Sequence, residues 1–188
     1  MSCWQILGRC IASPPPADWR ERLIARLGSR PRRLGSWCEQ GLYGALECLA
    51  DAGEDTLPPA AQLSVATRHG PDSALLGALQ TAAEDGLPMP MGFLQSQPGQ
   101  LLAHFSACTH WQGDARMLAS RDPLDALKLA CRTSAADDLL LGWLDEGETD
   151  AASIWLRLRR DKASPTQSLA LPDSLEALAD PEFRRLIV

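Results

Sequence analysis

No apolar run in the sequence is long enough to span a bilayer, and the N-terminus lacks the basic-then-apolar order of a signal peptide. A transmembrane or secreted class is therefore not expected, and the cytoplasm is the expected location. CxxC pairs are absent as well. The six cysteines, Cys3, Cys10, Cys38, Cys48, Cys108 and Cys131, are scattered, so a disulfide framework is not expected and they read as small apolar core residues. Basic charge is short: the net charge is -6 and the pI is near 5.0, which argues against a nucleic-acid footprint. The arginines at Arg26, Arg30, Arg32 and Arg33 are a local cluster. The GxSxG elbow of hydrolases is missing too, because Ser120 sits in LASRD. No internal repeat occurs.

What is present suits one globular domain of 188 residues, long enough to bury most of its unfolded surface, with 45% hydrophobic and 22% charged residues and a mean hydropathy of -0.15. CWQILGRCIA, stopped by SPPPAD, reads as a first strand. WRERLIARLGSRPRR is an amphipathic piece broken at Gly28 and Pro31. Ser36 and Glu39 form a capping box for a helix over Ser36–Ala52 that buries Leu42, Leu46 and Leu49. A strand is expected over Gln62–Arg68. Next comes a helix over Asp72–Asp85 with Leu75, Leu76, Leu79, Ala82 and Ala83 on one side.

After a loop at LPMPMG, PGQLLAHFSAC makes a short helix with Leu101, Leu102 and Phe105 on one face. Asp114–Ala119 reads as a strand. Asp122 followed by Pro123 then supplies an N-cap and a proline at the first helical position for Asp122–Cys131. Strands at Asp138–Leu144 and Ser153–Arg159 are close enough to form a hairpin. Helix-separated strands followed by a hairpin imply an α/β fold with a mixed sheet. Residues 161–188 read as a linker and a C-terminal helix bearing Leu175, Leu178, Phe183 and Leu186.

The runs QLSVATRHG, LLGALQTAAEDGLPMPMGF, PGQLLAHFS, GDARMLAS, DPLDALKLAC, DDLLLGWLDE and IWLRLRR stand in an order that resembles the N-terminal half of a β-ketoacyl synthase. The resemblance is greatest to the short ketosynthase-like and chain-length-factor-like proteins of aryl-polyene and polyketide gene clusters. Thr67-Arg68-His69-Gly70 stands where those short relatives carry Ser-Arg-His-Gly, and RRLGSWCEQGLYGALECL resembles their arginine-rich approach to the first long helix. A thiolase-like half is implied: a truncated ketosynthase N-terminal domain over residues 1–160.

Two departures bear on activity. The family's nucleophilic cysteine stands at a strand-to-helix turn, and aligning Leu124-Asp125-Ala126-Leu127 puts Ser120 at that position. A thiolate forms near neutral pH at a helix N-terminus, whereas a serine hydroxyl needs an adjacent base. The family's two assisting histidines belong to the C-terminal half, which this sequence does not contain. Ser96-Gln97-Pro98-Gly99 also replaces the His-Asn-Ala of the short relatives. Taken without the resemblance, Gly113–Cys131 is an ordinary strand followed by a capped helix.

The resemblance thus implies a non-catalytic subunit of fatty-acid or polyketide biosynthesis, forming a homodimer or a heterodimer with a full-length ketosynthase. It also implies contact with an acyl carrier protein. The family pairs two subunits through the strand before the nucleophile turn, which makes Arg116, Met117 and Leu118 the expected dimer interface, while Arg68 and His69 are the candidate functional pair. His69 before Gly70-Pro71 also suits a turn. Arg157, Arg159 and Arg160 read either as attracting an acidic carrier protein or as the solvated face of an edge strand.

His104, Cys108 and His110 lie close enough in sequence for metal ligation, but no fourth ligand is evident, and neither a metal nor a cofactor is expected. Two alternatives stay open. One is a stand-alone acyl-thioester enzyme using Ser120, Cys108 or Cys131, and the other is an unrelated small-molecule-binding α/β protein.

Overall fold

The computed structural model describes residues 3–87, 89–146, 151–162, 176–180 and 183–187. Six strands form one mixed sheet in the order β3-β2-β4-β5-β1-β6. They are β1 (Cys3–Ala12), β2 (Gln62–Thr67), β3 (Asp114–Ala119), β4 (Asp138–Glu146), β5 (Ala151–Asp161) and β6 (Arg185–Ile187). β2 is parallel to both β3 and β4, while β4/β5, β1/β5 and β1/β6 are antiparallel. The expected hairpin is present, although its turn at 147–150 lies outside the described residues.

Six helices accompany the sheet: α1 (Trp19–Leu27), α2 (Ser36–Asp51), α3 (Asp72–Asp85), α4 (Pro90–Gln95), α5 (Gly99–Thr109) and α6 (Pro123–Thr133). α2 lies against one face, flanked by α1 and α5, and α6 covers part of the other. Strand alternation therefore feeds two cores. Leu63, Val65, Leu140, Leu144 and Trp155 join Trp37, Leu42 and Leu49 on the α2 face, while Leu139, Leu141, Ile154, Leu156 and Leu158 join Leu127 and Cys131 on the α6 face. Strands buried on both faces read as nearly continuous apolar runs, as β4 does from Leu139 to Leu144, while β2 buries Gln62, Ser64 and Thr67 as well.

α2 is buried along most of its circumference, not only along the Leu42/Leu46/Leu49 stripe. It can press so close because Gly44 lacks a side chain: a Cβ there would stand 2.5 Å from both Ser153 Oγ and Trp155 Nε1. The expected capping box does not form. Gly35 is the N-cap, Ser36 Oγ accepts from Arg20 Nη2 at 2.9 Å, and buried Glu39 faces Arg20 and Arg30 at 3.4 and 3.7 Å. The glutamate finds cations from α1 and the following loop, which outcompete the capping amide. α6 does start as expected, with the Asp122 carboxylate accepting the Asp125 N–H at 2.9 Å.

Three further expectations are corrected. β5 lies between β4 and β1, so it is an interior strand and not an edge. The α3 stripe is turned outward: Leu75, Leu76 and Leu79 are exposed, as are Leu87, Met89, Phe93 and Leu94 beyond it, and LPMPMG leads into α4 instead of remaining a loop. In place of a C-terminal helix, the described part of 161–188 is a 3-10 turn at Glu176–Ala179 followed by β6.

Candidate functional site

Parallel strands β2 and β3 end side by side, with Thr67 opposite Ala119, and this places Arg68 and Ser120 together just beyond the sheet. The Ser120 N–H donates to the Thr67 carbonyl at 3.1 Å, and Arg68 Nη2 donates to the Arg121 carbonyl at 2.7 Å. Arg68 therefore ties the two strand ends together. The next turn is closed by the Gly70 N–H donating to Thr67 Oγ1 at 2.8 Å, with Gly70 at φ 72. Glycine adopts that left-handed conformation without the steric cost of a Cβ.

The Ser120 hydroxyl is engaged within its own turn. It donates to the Asp122 carbonyl at 2.8 Å and accepts the Asp122 N–H at 3.3 Å. Among the described residues no carboxylate or imidazole is hydrogen-bonded to it. An alcohol needs such a base to become a nucleophile. His69 is directed to the other side of β2, where its Nδ1 lies 3.6 Å from Asp145 Oδ1 at the end of β4. That carboxylate oxygen is buried without a hydrogen-bond partner. Neighbouring Glu146 accepts the Ser73 N–H at 2.9 Å, which secures the start of α3. Asp145 and Glu146 were not legible as part of this cluster, because only the sheet order brings the end of β4 beside His69.

The cysteines offer no better nucleophile. Burial pushes the Cys131 thiol up to about 12, with Arg160 opposing only in part, and loss of water also raises Cys108, whose Sγ donates to the Phe105 carbonyl at 3.4 Å. Both thiols stay protonated near neutrality, whereas catalytic cysteines are lowered. His104 and Cys108 lie on α5 and His110 caps its C-terminus, yet no group of three metal-ligating side chains forms among the described residues.

Arg157 is fully buried, which overturns its place on a solvated strand face. Its Nε and Nη2 donate to Glu54 at 2.6 and 3.0 Å, and Nη2 also reaches Asp138 Oδ1 at 2.7 Å. Arg159 joins the same carboxylates, and Arg160 stacks over the Trp4 ring at 4.4 Å. Arg157 is thus held inside the fold, while Arg159 stays half exposed.

β3 is the outer strand beside β2. Arg116, Met117 and Leu118 are each half-buried; Arg116 pairs with Asp114 at 2.7 Å, Met117 packs on the α2-side core and Leu118 on the α6-side core. Among the described residues its outer backbone edge meets no strand.

Neither family models nor curated proteins give any match to the sequence. Solved structures do. A chain of the ketosynthase (ApeO)–chain length factor (ApeC) complex from Xenorhabdus doucetiae superposes with a TM-score of 0.61 at 17% identity, over 95% of this chain and 90% of that one. The ishigamide ketosynthase/chain length factor gives 0.67 at 13%, and a chain of the AntDE:AntF complex gives 0.65 at 11%. The fold is that of a ketosynthase. This ketosynthase fold, thiolase-like in its mixed sheet and packed helices, spans 63% of each of the latter two chains, which is less than two thirds of their length. No helix among the described residues is long and apolar enough to cross a membrane.

Proposed function

We propose that this protein is a non-catalytic ketosynthase-like subunit of polyketide or fatty-acid biosynthesis that pairs with an active ketosynthase. The observation that carries the reading is the state of Ser120: it stands at the strand-to-helix turn where the family resemblance puts a nucleophile, with its hydroxyl held by Asp122 and no base beside it. A subunit of this kind acts through its surface. The matching structures include ketosynthases in complex with a chain length factor and, in the AntDE:AntF case, with an acyl-carrier protein. They support pairing with a ketosynthase and carrier-protein traffic past the complex.

Two surfaces suit the partner. An open strand edge favours addition of a further strand, and among the described residues β3 is one. Exposed leucines, methionines and a phenylalanine on α3 and α4 form apolar surface of the kind monomers seldom leave uncovered. Co-expression with a full-length ketosynthase from an aryl-polyene-type cluster is expected to give a stable complex, and light scattering should show one copy of each chain. Met117→Lys, which puts a charge at a half-buried position of β3 against the α2-side core, should weaken pairing on the order of tenfold or more, with circular dichroism checking that the chain stays folded. A wild-type chain that remains alone at tens of micromolar, on the order of ordinary transient affinities, overturns the reading.

Catalysis gives a second check. Incubated with a malonyl thioester and an acyl donor, the isolated chain is expected to yield no ketoacyl product, and turnover abolished by Ser120→Ala would contradict this.

A further inference from the structure

The two edges of the sheet are treated differently. Among the described residues β3 stands open, whereas β1 at the far side is closed by residues 176–180 and 183–187 of the same chain. β6 pairs Arg185–Ile187 with Cys3–Gln5, and the Ile6 N–H donates to the Arg184 carbonyl at 2.9 Å. At Leu7 the register of β1 shifts by a bulge, and from there a side chain takes over from the backbone. The Arg9 guanidinium donates to the carbonyls of Leu178, Asp180 and Phe183 at 2.5, 2.6 and 2.7 Å. The Arg9 N–H, which the segment does not reach, donates to Asp51 Oδ2 at 2.8 Å.

Apolar contacts accompany these bonds. Leu178 and Leu186 are fully buried, and with half-buried Phe183 they join Trp4, Ile6 and Leu158 on the α6 face. The outer side of β6 invites no further strand: its three described residues begin at exposed Arg185, with exposed Arg184 just before it. Short, charged edge strands are how soluble sheets avoid extension.

We propose that residues 176–180 and 183–187 form a strap, latched by Arg9, that closes the β1 edge and the adjoining α6 face, so that another chain extends the sheet at β3. A sheet open at one edge gives closed pairs, and one open at both edges gives open-ended stacking. Lysine cannot replace the latch, because three carbonyls set apart along a turn need the broad planar fork of a guanidinium. The strap operates whichever partner occupies β3.

Hydrogen exchange and light scattering on the full chain test this with Arg9→Lys and Leu186→Asp. In the wild type the amides of 185–187 should be protected. Each substitution should lower that protection on the order of tenfold to a hundredfold, Arg9→Lys through the loss of one to two charge-assisted hydrogen bonds and Leu186→Asp through a carboxylate at a buried position, while α2 and β4 keep theirs. Both variants should also form species larger than a pair, and adding Met117→Lys should cut these back to pairs joined at β1. Free exchange of 185–187 in the wild type overturns the proposal, as does an unchanged assembly size once the strap is released. Loss of protection throughout α2 in both variants overturns it too, since the segment would then be part of the global core.

Discussion

Trp155→Ala is expected to cost about 4–5 kcal/mol, the upper end for deleting a large buried aromatic, read as a lowered urea midpoint with unchanged slope. The reason lies in what surrounds the ring. Trp155 is fully buried in β5, stands opposite Gly142 of β4, and faces Gly44 of α2. Its Nε1 donates to Ser153 Oγ at 3.0 Å, and that hydroxyl donates to the Gln40 carbonyl at 3.3 Å. Glycines have no side chains with which to collapse into the void, so the cavity persists and its cost is retained. A coupled experiment separates this from a general loss of packing. In the wild type a Cβ at Gly142 would lie 2.5 Å from Trp155 Cη2, so Gly142→Ala should destabilise. In a Trp155→Phe background the same change fills space and should be neutral or favourable. Equal effects in both backgrounds would show that the glycine and the indole are not complementary.

Arg157→Met should cost about 3 kcal/mol, the lower end for breaking a buried ion pair, because Glu54 and Asp138 keep some water, at 21% side-chain exposure each. Most of that loss comes from the two carboxylates left behind. Removing all three charges with apolar residues of similar size should therefore recover part of it, and a triple variant less stable than the single one would refute the account. Acid adds a second handle. Burial raises the Asp138 carboxyl, but the hydrogen bonds and charges of Arg157 and Arg159 outweigh burial and hold it below the ordinary aspartate value. A group depressed on folding stabilises above its unfolded pKa and loses that contribution as pH falls through the folded one. Acid should thus destabilise the wild type through this group more than it destabilises Arg157→Met.

Local signals were legible where the chain needs only its neighbours. Asp122-Pro123 starts α6 because cap and proline act within one turn, and Gly28 and Gly86 stop α1 and α3 in the left-handed conformation that glycine adopts without strain. Periodicity showed that α3 has an apolar side, but it carries no information about what covers that side, and here Leu75, Leu76 and Leu79 are left exposed. Arg157 was misread for a related reason. A strand reading Trp-x-Arg-x-Arg looks like a wet face until Glu54 and Asp138, distant in sequence, are brought against it by the sheet order. At the site, motif order located Ser120 and Arg68, whereas the engaged hydroxyl and the turn of His69 toward Asp145 depend on backbone geometry that residue types do not encode.

The pairing of β1 has a consequence for how the chain is made. Among the described residues Cys3–Ala12 finds its strand partners at Ser153–Asp161 and Arg185–Ile187, although α2, earlier in the chain, also packs on it. At ribosomal speeds of about 5–20 residues per second, β1 waits roughly 7–30 seconds for β5. Contacts of such long sequence separation also slow folding once the chain is complete. Trp4 and Ile6 lack the Ile154, Leu156 and Leu158 side of their core throughout that interval, and the nascent chain is then a substrate for chaperones that hold apolar strands apart. Yield from a fast-translating host should therefore respond to chaperone supply more than to any substitution on the finished surface.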